Sequence, residues 1–107
     1  MSSHRPPQDV QEAADRARRW IGEGHAGEGF TDTGRRRASQ LAEGEAVSTD
    51  VVRKMDQYFS RHESDRDAEG FSRGGDGFPS PGRVAWDAWG GDAGRRWART
   101  VLDKEDR

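Results

Sequence analysis

Residues 86–98 read WDAWGGDAGRRWA and hold three of the four tryptophans of the chain around a Gly-Gly-Asp. Trp86 and Trp89 lie three residues apart and can share one helix face. Gly90-Gly91 interrupts that helix, and Asp92 is expected to cap the next one, which carries Trp97. In a small domain three indoles can supply much of the core. The segment therefore predicts a helix–glycine–helix corner, with an exposed aromatic platform for a protein or single-stranded nucleic acid as the alternative.

The chain of 107 residues is long enough for one domain with a modest core. Charged residues (36%) outnumber hydrophobic ones (30%), so the core must come from periodic apolar clusters between polar, glycine-rich stretches. The formal net charge of −2 gives no overall basic field for nucleic acid. Without cysteine there is no disulfide or thiolate metal site. No apolar run has the length of a membrane helix, so we expect a soluble protein inside a cell or inside an assembly made there.

Apolar residues at helical spacing predict an all-α fold, a small single domain of four to five short helices joined by Gly-rich loops. We place helices at about 8–21, 31–43, 49–62, 80–89 and from Asp92 onwards. Ser48 and Ser80 are expected N-caps, and Phe71 and Phe78 are expected to anchor the intervening loop to the core. No segment alternates with period two, so no strand is predicted. Residues 8–104 are assigned to the domain, 1–7 to a disordered lead-in and 105–107 to a disordered tail.

The stretch LAEGEAVSTDVVRKM (41–55) has the small residues and the Val-Ser turn of a bacterial helix-turn-helix. In that interpretation the helix over 49–62 reads a DNA groove, while an arginine run contacts phosphates. The alternative is an ordinary helical hairpin whose basic residues face solvent. The candidate nucleic-acid contacts are Arg35, Arg36, Arg37, Thr49, Asp50, Arg53, Lys54 and Gln57.

The segment DRDAEGFSRGGD (65–76) follows a helix with part of the spacing of a calcium-binding loop. Its candidate ligands are Asp65, Asp67, Glu69 and Asp76. Ser72 stands where an apolar residue is usual, and Asp76 stands where glutamate is usual. A solvated acidic loop is therefore the favoured interpretation, and no metal is assigned.

His62 ends the apolar stripe of the helix over 49–62. We expect it to close the helix end through a hydrogen bond to Asp65 or to a backbone carbonyl. The other histidines, His4 and His25, lie in segments predicted to be flexible, and no serine has a nucleophile-elbow context. The glycines at 22–29 follow a helix and precede no Lys-Ser/Thr, so they form no phosphate loop. The sequence predicts a protein that is not an enzyme and has no cofactor.

The segments GRRRASQLAEGEAVS, VVRKMDQYFSRHESD and GFPSPGRVAWDAWGGDAGRRWA together resemble a small helical domain of tailed-bacteriophage proteins. That domain occurs alone or attached to head-assembly proteins such as capsid proteases and portal-linked factors. The resemblance covers about residues 10–98 and implies a phage setting, with no established activity. Its signature falls on Arg53, Met55, Phe59, Arg61, His62, Asp65, Pro79, Ser80, Trp86, Trp89, Gly90, Gly91, Asp92, Gly94 and Trp97.

From the polar members of this signature we expect a buried or half-buried hydrogen-bond network. It would join Arg61, His62 and Asp65 to Asp92 at the glycine corner. The leading hypothesis is a non-enzymatic, phage-derived binding module that contacts a head protein or packaged DNA during virion assembly. The alternatives are a helix-turn-helix regulator that binds duplex DNA and a small phage inhibitor of a host protein.

Overall fold

The structure, a computed structural model, describes residues 2–106 and confirms the all-α prediction. Five α-helices follow one another along this part of the chain, with a 3₁₀ turn at Glu63–Asp67 between the third and fourth. The helices are α1 (Gln8–Gly22), α2 (Asp32–Ala42), α3 (Thr49–Arg61), α4 (Pro81–Ala88) and α5 (Gly91–Glu105). Two short strands, β1 (Ser3–His4) and β2 (Val47–Ser48), pair antiparallel.

Helix α1 is the centre of the fold and packs against α2, α4 and α5, while α3 packs mainly against α5. Its buried face is small, because alanines occupy three of its four buried positions. Ala17 meets Ala38 of α2 and Ala88 of α4 in a cluster of buried small side chains. Small side chains allow helix axes to approach closely, which explains how such an alanine-rich helix holds two neighbours.

The larger core side chains lie between α3, α4 and α5. Trp86 is 1% exposed, and its ring packs edge-on against Phe59, with ring centroids 4.7 Å apart. Phe71, from the loop after the 3₁₀ turn, meets the same indole at 5.6 Å. Phe71 is thus confirmed as an anchor to the core, whereas Phe78 is half-buried and lies edge-on to the half-buried Trp20, outside the core clusters. Burying an aromatic side chain of this kind contributes a few kcal/mol, and this cluster supplies much of the stability of the fold.

Side-chain caps begin three of the helices. Ser48 accepts a hydrogen bond from the Val51 backbone N–H at 3.2 Å, and Ser80 accepts one from Arg83 at 3.1 Å, as predicted. Thr31 accepts one from Gly34 at 3.1 Å at the start of α2. Each cap satisfies a backbone donor that the helix itself leaves free.

The corner between α4 and α5 has no side-chain cap. Gly90, in the left-handed region with φ of 110°, precedes the first residue of α5, so the prediction that Asp92 caps this helix is wrong. Asp92 instead lies in the first turn and accepts a hydrogen bond from the Trp86 indole Nε1 at 3.0 Å. The glycine turn brings Asp92 within reach of the buried indole, which explains why the acidic residue follows the glycines.

The N-terminal segment is ordered, so the predictions of a disordered lead-in and of no strand are wrong for its described part. Ser3 and His4 pair with Ser48 and Val47, and the His4 Nε2 lies 2.8 Å from the Thr49 hydroxyl. Pro6 is fully buried. A strand of two residues is too short to leave a period-two pattern in the sequence. Glu105 ends α5 rather than beginning a disordered tail, and Met1 and Arg107 lie outside the described residues.

Asp87 is a buried carboxylate that the sequence analysis did not single out. Its side chain is 1% exposed and accepts from Arg16 Nε at 2.9 Å and from Arg83 Nε at 3.3 Å. Burial raises the pKa of Asp87, and the two guanidinium groups oppose that rise. The Arg16–Asp87 pair ties the last turn of α4 to the middle of α1, and Arg83 contacts the same carboxylate from within α4.

Candidate functional site

The main cleft lies between α3 on one side and the 26–34 segment on the other, with α4 beneath. Its volume is about 780 Å³. Because α3, the loop before α2 and α4 each contribute a wall, the cleft joins parts of the chain that are distant in sequence. Its lining includes Glu28, Phe30, Lys54, Gln57, Tyr58, Arg61, His62, Asp65, Ala85 and Trp89.

A column of stacked rings lies along the cleft. The Trp89 and Tyr58 rings are nearly parallel, at 8° and 4.8 Å, and the His62 ring stacks on Tyr58 at 4.5 Å. The Arg37 guanidinium lies over the Trp89 ring, 5.2 Å from its centroid. Trp89 remains half-buried rather than buried, unlike Trp86. The column therefore presents aromatic edges to the cleft on a support that packing holds in place.

The Tyr58 phenol stays protonated at neutral pH. Burial raises its pKa, and the negative charges of Asp65 and Asp87 add to the effect. A neutral phenol can donate one hydrogen bond and accept others. Tyr58 therefore adds a polar group to a floor that is otherwise apolar.

The prediction for His62 is confirmed, because its Nδ1 lies 3.1 Å from the Asp65 carboxylate. Within residues 2–106 this is the single hydrogen bond of the imidazole. The contact spans the end of α3 and the 3₁₀ turn, and the stacked Tyr58 ring holds the imidazole from the side. His62 thus orders the far end of the cleft.

The wall formed by α3 carries cations. Lys54 and Arg61, seven residues apart and both exposed, line the cleft, with Gln57 between them. Neither cation forms an ion pair in the described part of the chain. On the neighbouring flank of α3, by contrast, Arg53 pairs with Asp106 at 2.7 Å.

The residues expected to contact DNA do not share one free face. Thr49 bonds His4, and Arg53 bonds Asp106, whereas Lys54 and Gln57 face the cleft. Helix α2 packs against α1 and α4 while α3 packs against α5, so these two helices do not form the mutually packed hairpin of the pattern. Asp50 remains exposed.

The arginine run is also divided. Arg35 and Arg36 are exposed, but Arg37 is 7% exposed, so its predicted contact with phosphate is wrong. Its guanidinium donates to the Gln40 side chain and lies over Trp89. Burial and the nearby Arg36 lower the pKa of Arg37. The reason for the burial is helical phase, since position 37 falls on the face of α2 that carries Ala38 and Leu41.

The candidate carboxylates of the acidic loop are divided between a 3₁₀ turn and the loop that follows it. Residues 2–106 contain no group of three His, Cys, Asp or Glu side chains close enough to hold a metal ion. Asp65 and Asp67 lie in a 3₁₀ turn, and Asp65 bonds His62. Glu69 and Asp76 lie in the following loop, which closes on itself where Ser80 donates to the Gly70 carbonyl at 2.9 Å. A calcium loop would need these carboxylates to converge.

The expected hydrogen-bond network does not connect the end of α3 to Asp92, so that prediction is wrong. His62 and Asp65 bond each other, but Asp92 bonds Trp86 and lies 3.6 Å from Arg66. Arg61 is exposed and extends along the cleft. Of the signature side chains, Met55, Phe59 and Trp86 are buried, while Trp89 and Trp97 are half-buried. The interpretation as core therefore holds fully for one of the three indoles.

A second basic surface lies along α5 beside the 3₁₀ turn, where every arginine already faces a carboxylate. Arg95 lies 3.0 Å from Glu63, and Arg99 lies 3.1 Å from Asp56. Arg66 lies 3.6 Å from Asp92, and Arg96 lies 3.9 Å from Asp9. These pairs neutralise much of the positive charge that the Arg95-Arg96 doublet suggests.

Sequence analysis missed the opposite wall of the cleft. Phe30 and Glu28 come from the glycine-rich loop, and Ala85 comes from the first turns of α4. The available signal was Phe30 itself, a lone aromatic residue at the end of a run of glycines. Its contact with the rest of the cleft depends on the docking of α2, which local periodicity does not encode.

The chain matches no protein-family model, and neither the curated proteins nor the solved structures gave a significant match. None of the helices in the described part of the chain is long and apolar enough to cross a membrane. The geometry of the cleft is therefore the main basis for an assignment of function.

Proposed function

We propose that this chain is a non-enzymatic, phage-derived binding module that holds a segment of a partner protein in the cleft during virion assembly. The observation that carries the proposal is the half-buried aromatic column on the floor of an open cleft of about 780 Å³. A partly exposed tryptophan stacked on a buried tyrosine in a concave site suits the recognition of a protein segment.

The polar groups of the cleft favour binding over catalysis. The His62 imidazole bonds Asp65, and no hydroxyl, amine or thiol in residues 2–106 hydrogen-bonds to it. Nucleophilic catalysis needs a nucleophile within hydrogen-bond reach of its base. The bond between His62 and Asp65 closes the end of α3, and this structural role needs no catalytic one.

The ion pairs favour a protein partner over duplex DNA. Arg53 and the arginines of the α5 surface already face carboxylates. DNA phosphates would have to compete with these carboxylates for the arginines. The resemblance of the W-G-G-D-A-G segment to a phage domain supports the assembly setting and a head protein as the partner.

The proposal is tested by filling the cleft. We expect the chain to be present in purified particles and to crosslink to one head protein, and Ala85→Arg to abolish that crosslink by placing a long side chain on the floor. Ala46→Arg is the matched control, since Ala46 is exposed and lies outside the cleft. A folded Ala85→Arg variant that crosslinks as well as Ala46→Arg would contradict the proposal. Absence of the chain from particles would contradict the virion role.

A further inference from the structure

Two cations without an ion pair lie on the wall of the cleft that α3 forms. Lys54 and Arg61 are two helical turns apart on α3, so they follow the axis of the cleft at a spacing of about 10 Å. Most other arginines of the described residues face a carboxylate.

Two carboxylates also line the cleft, but neither lies on the wall formed by α3. Glu28 lies on the loop wall, and Asp65 is bonded to His62 at the far end of α3. The wall formed by α3 therefore carries net positive charge above an apolar floor of Trp89, Tyr58 and Ala85. A partner that fits both features combines apolar side chains with carboxylates placed at one edge.

The secondary structure around the cleft indicates whether the partner segment binds as a strand or as a helix. The cleft lies along α3, and the described residues that line it include no strand, so no sheet edge is available to pair with an extended peptide. A helix laid in a groove is the recognition mode that remains for an apolar surface bordered by helices. Side chains two turns apart on such a helix have the same spacing as Lys54 and Arg61.

We propose that the cleft binds an acidic amphipathic helix of the partner protein. Its apolar face lies on the Trp89–Tyr58 floor, and two carboxylates seven residues apart pair with Lys54 and Arg61. This inference rests on the proposed function and specifies its partner. Both cations are available to such a partner, because neither forms an ion pair within the described part of the chain.

Two synthetic helical peptides of about 15 residues test the proposal. They share leucines at every third and fourth position and differ only in their polar face, which carries glutamate in one and lysine in the other. By fluorescence anisotropy we expect the acidic peptide to bind the full chain about tenfold more tightly, because two ion pairs at the rim of an interface each contribute modestly. The difference should shrink as the salt concentration rises.

Charge reversal identifies the residues. Lys54→Glu with Arg61→Glu should reverse the preference between the peptides, and both positions are exposed, so the fold should be kept. The matched control reverses two exposed cations outside the cleft, Lys104→Glu with Arg73→Glu, and should leave the preference unchanged.

The outcomes separate this inference from the proposed function. Equal binding of both peptides, a preference for the lysine peptide, or an unchanged preference after charge reversal would overturn the acidic partner. Failure of both peptides to bind would overturn the helical partner. In each case the crosslinking of Ala85→Arg and Ala46→Arg decides separately whether the cleft holds a protein segment.

Discussion

Arg53 lies on the exposed flank of α3, and its guanidinium donates to the Asp106 carboxylate at 2.7 Å. On sequence alone it is indistinguishable from Lys54, its neighbour, because both are basic residues on a solvent-facing helix. The difference arises from the docking of α5, which places a carboxylate near one and not the other. Single residues of this kind could be assigned to the surface from the sequence, but their partners could not.

The titration of Asp106 reports this pair. Arg53 lowers the pKa of Asp106 through the hydrogen bond and its charge. Because the folded pKa lies below the unfolded one of about 3.9, the pair stabilises the fold above that pH. The contribution is lost as the pH falls through the folded pKa.

In Arg53→Ala we expect the pKa of Asp106, followed by NMR of its carboxyl carbon, to rise to its ordinary value. Lys104→Ala removes a cation of α5 that has no ion pair in the described part of the chain, and should leave the titration of Asp106 unchanged. Equal effects of the two substitutions would show that general charge, rather than the hydrogen bond, sets the pKa.

At the scale of elements, the corner between α4 and α5 depends on the absence of side chains. A Cβ on Gly90 would lie 2.9 Å from the Gly94 Cα and 3.1 Å from Val10 Cγ1, and φ there is positive. A Cβ on Gly94 would lie 2.8 Å from the Trp89 carbonyl oxygen. The corner therefore packs against its own backbone and against Val10 of α1, and neither glycine has room for a side chain.

Gly90→Ala separates crowding from backbone strain when it is compared with Gly74→Ala. Gly74 also has positive φ, 87°, but open space around its Cβ position. We expect Gly74→Ala to lower the free energy of unfolding by about 1 kcal/mol, the penalty of the left-handed backbone. Gly90→Ala should lower it by about 2–4 kcal/mol, because overpacking is added. Urea denaturation measures both, and equal losses would show that crowding at the corner is relieved.

The helices themselves could be predicted because each carries an apolar stripe, and α3 and α4 also carry a start signal. The stripe from Val10 to Ala17 and the caps Ser48 and Ser80 lie where local physics places them. The strand pair could not be predicted, since two residues show no periodicity and the partner strand is over forty residues away. The capping role of Asp92 was wrong because α5 already begins at Gly91, which places Asp92 in the first turn beside the Trp86 indole.

At the scale of the whole molecule, the cleft forms where α3 faces the loop before α2. Helix periodicity located Tyr58 and Trp89 on their own helices, but it gave no reason to bring Phe30 opposite them. That meeting depends on α1, which positions α2 and α4 together. The candidate site therefore depends on tertiary packing. The sequence analysis placed its helical residues but did not predict the loop wall that lies opposite them.

The strand β1 has a topological consequence. His4 Nε2 lies 3.4 Å from the Glu105 carboxylate, so the two ends of the described chain are neighbours. A short flexible linker can join them. If the ends are joined and the chain is opened at another loop, the helices can pack in the same way. We therefore expect the molecule to tolerate circular permutation.

We expect a permutant that opens in the exposed loop between Gly74 and Gly75 to keep its helical circular dichroism, with a Tm within about 5 °C of the parent. A permutant opened inside α1, between Arg18 and Arg19, should fail to fold, because the central helix would be cut. Similar melting of the two would mean that α1 does not organise the fold. Success of the first alone would show that spatial neighbours, rather than sequence order, define this domain.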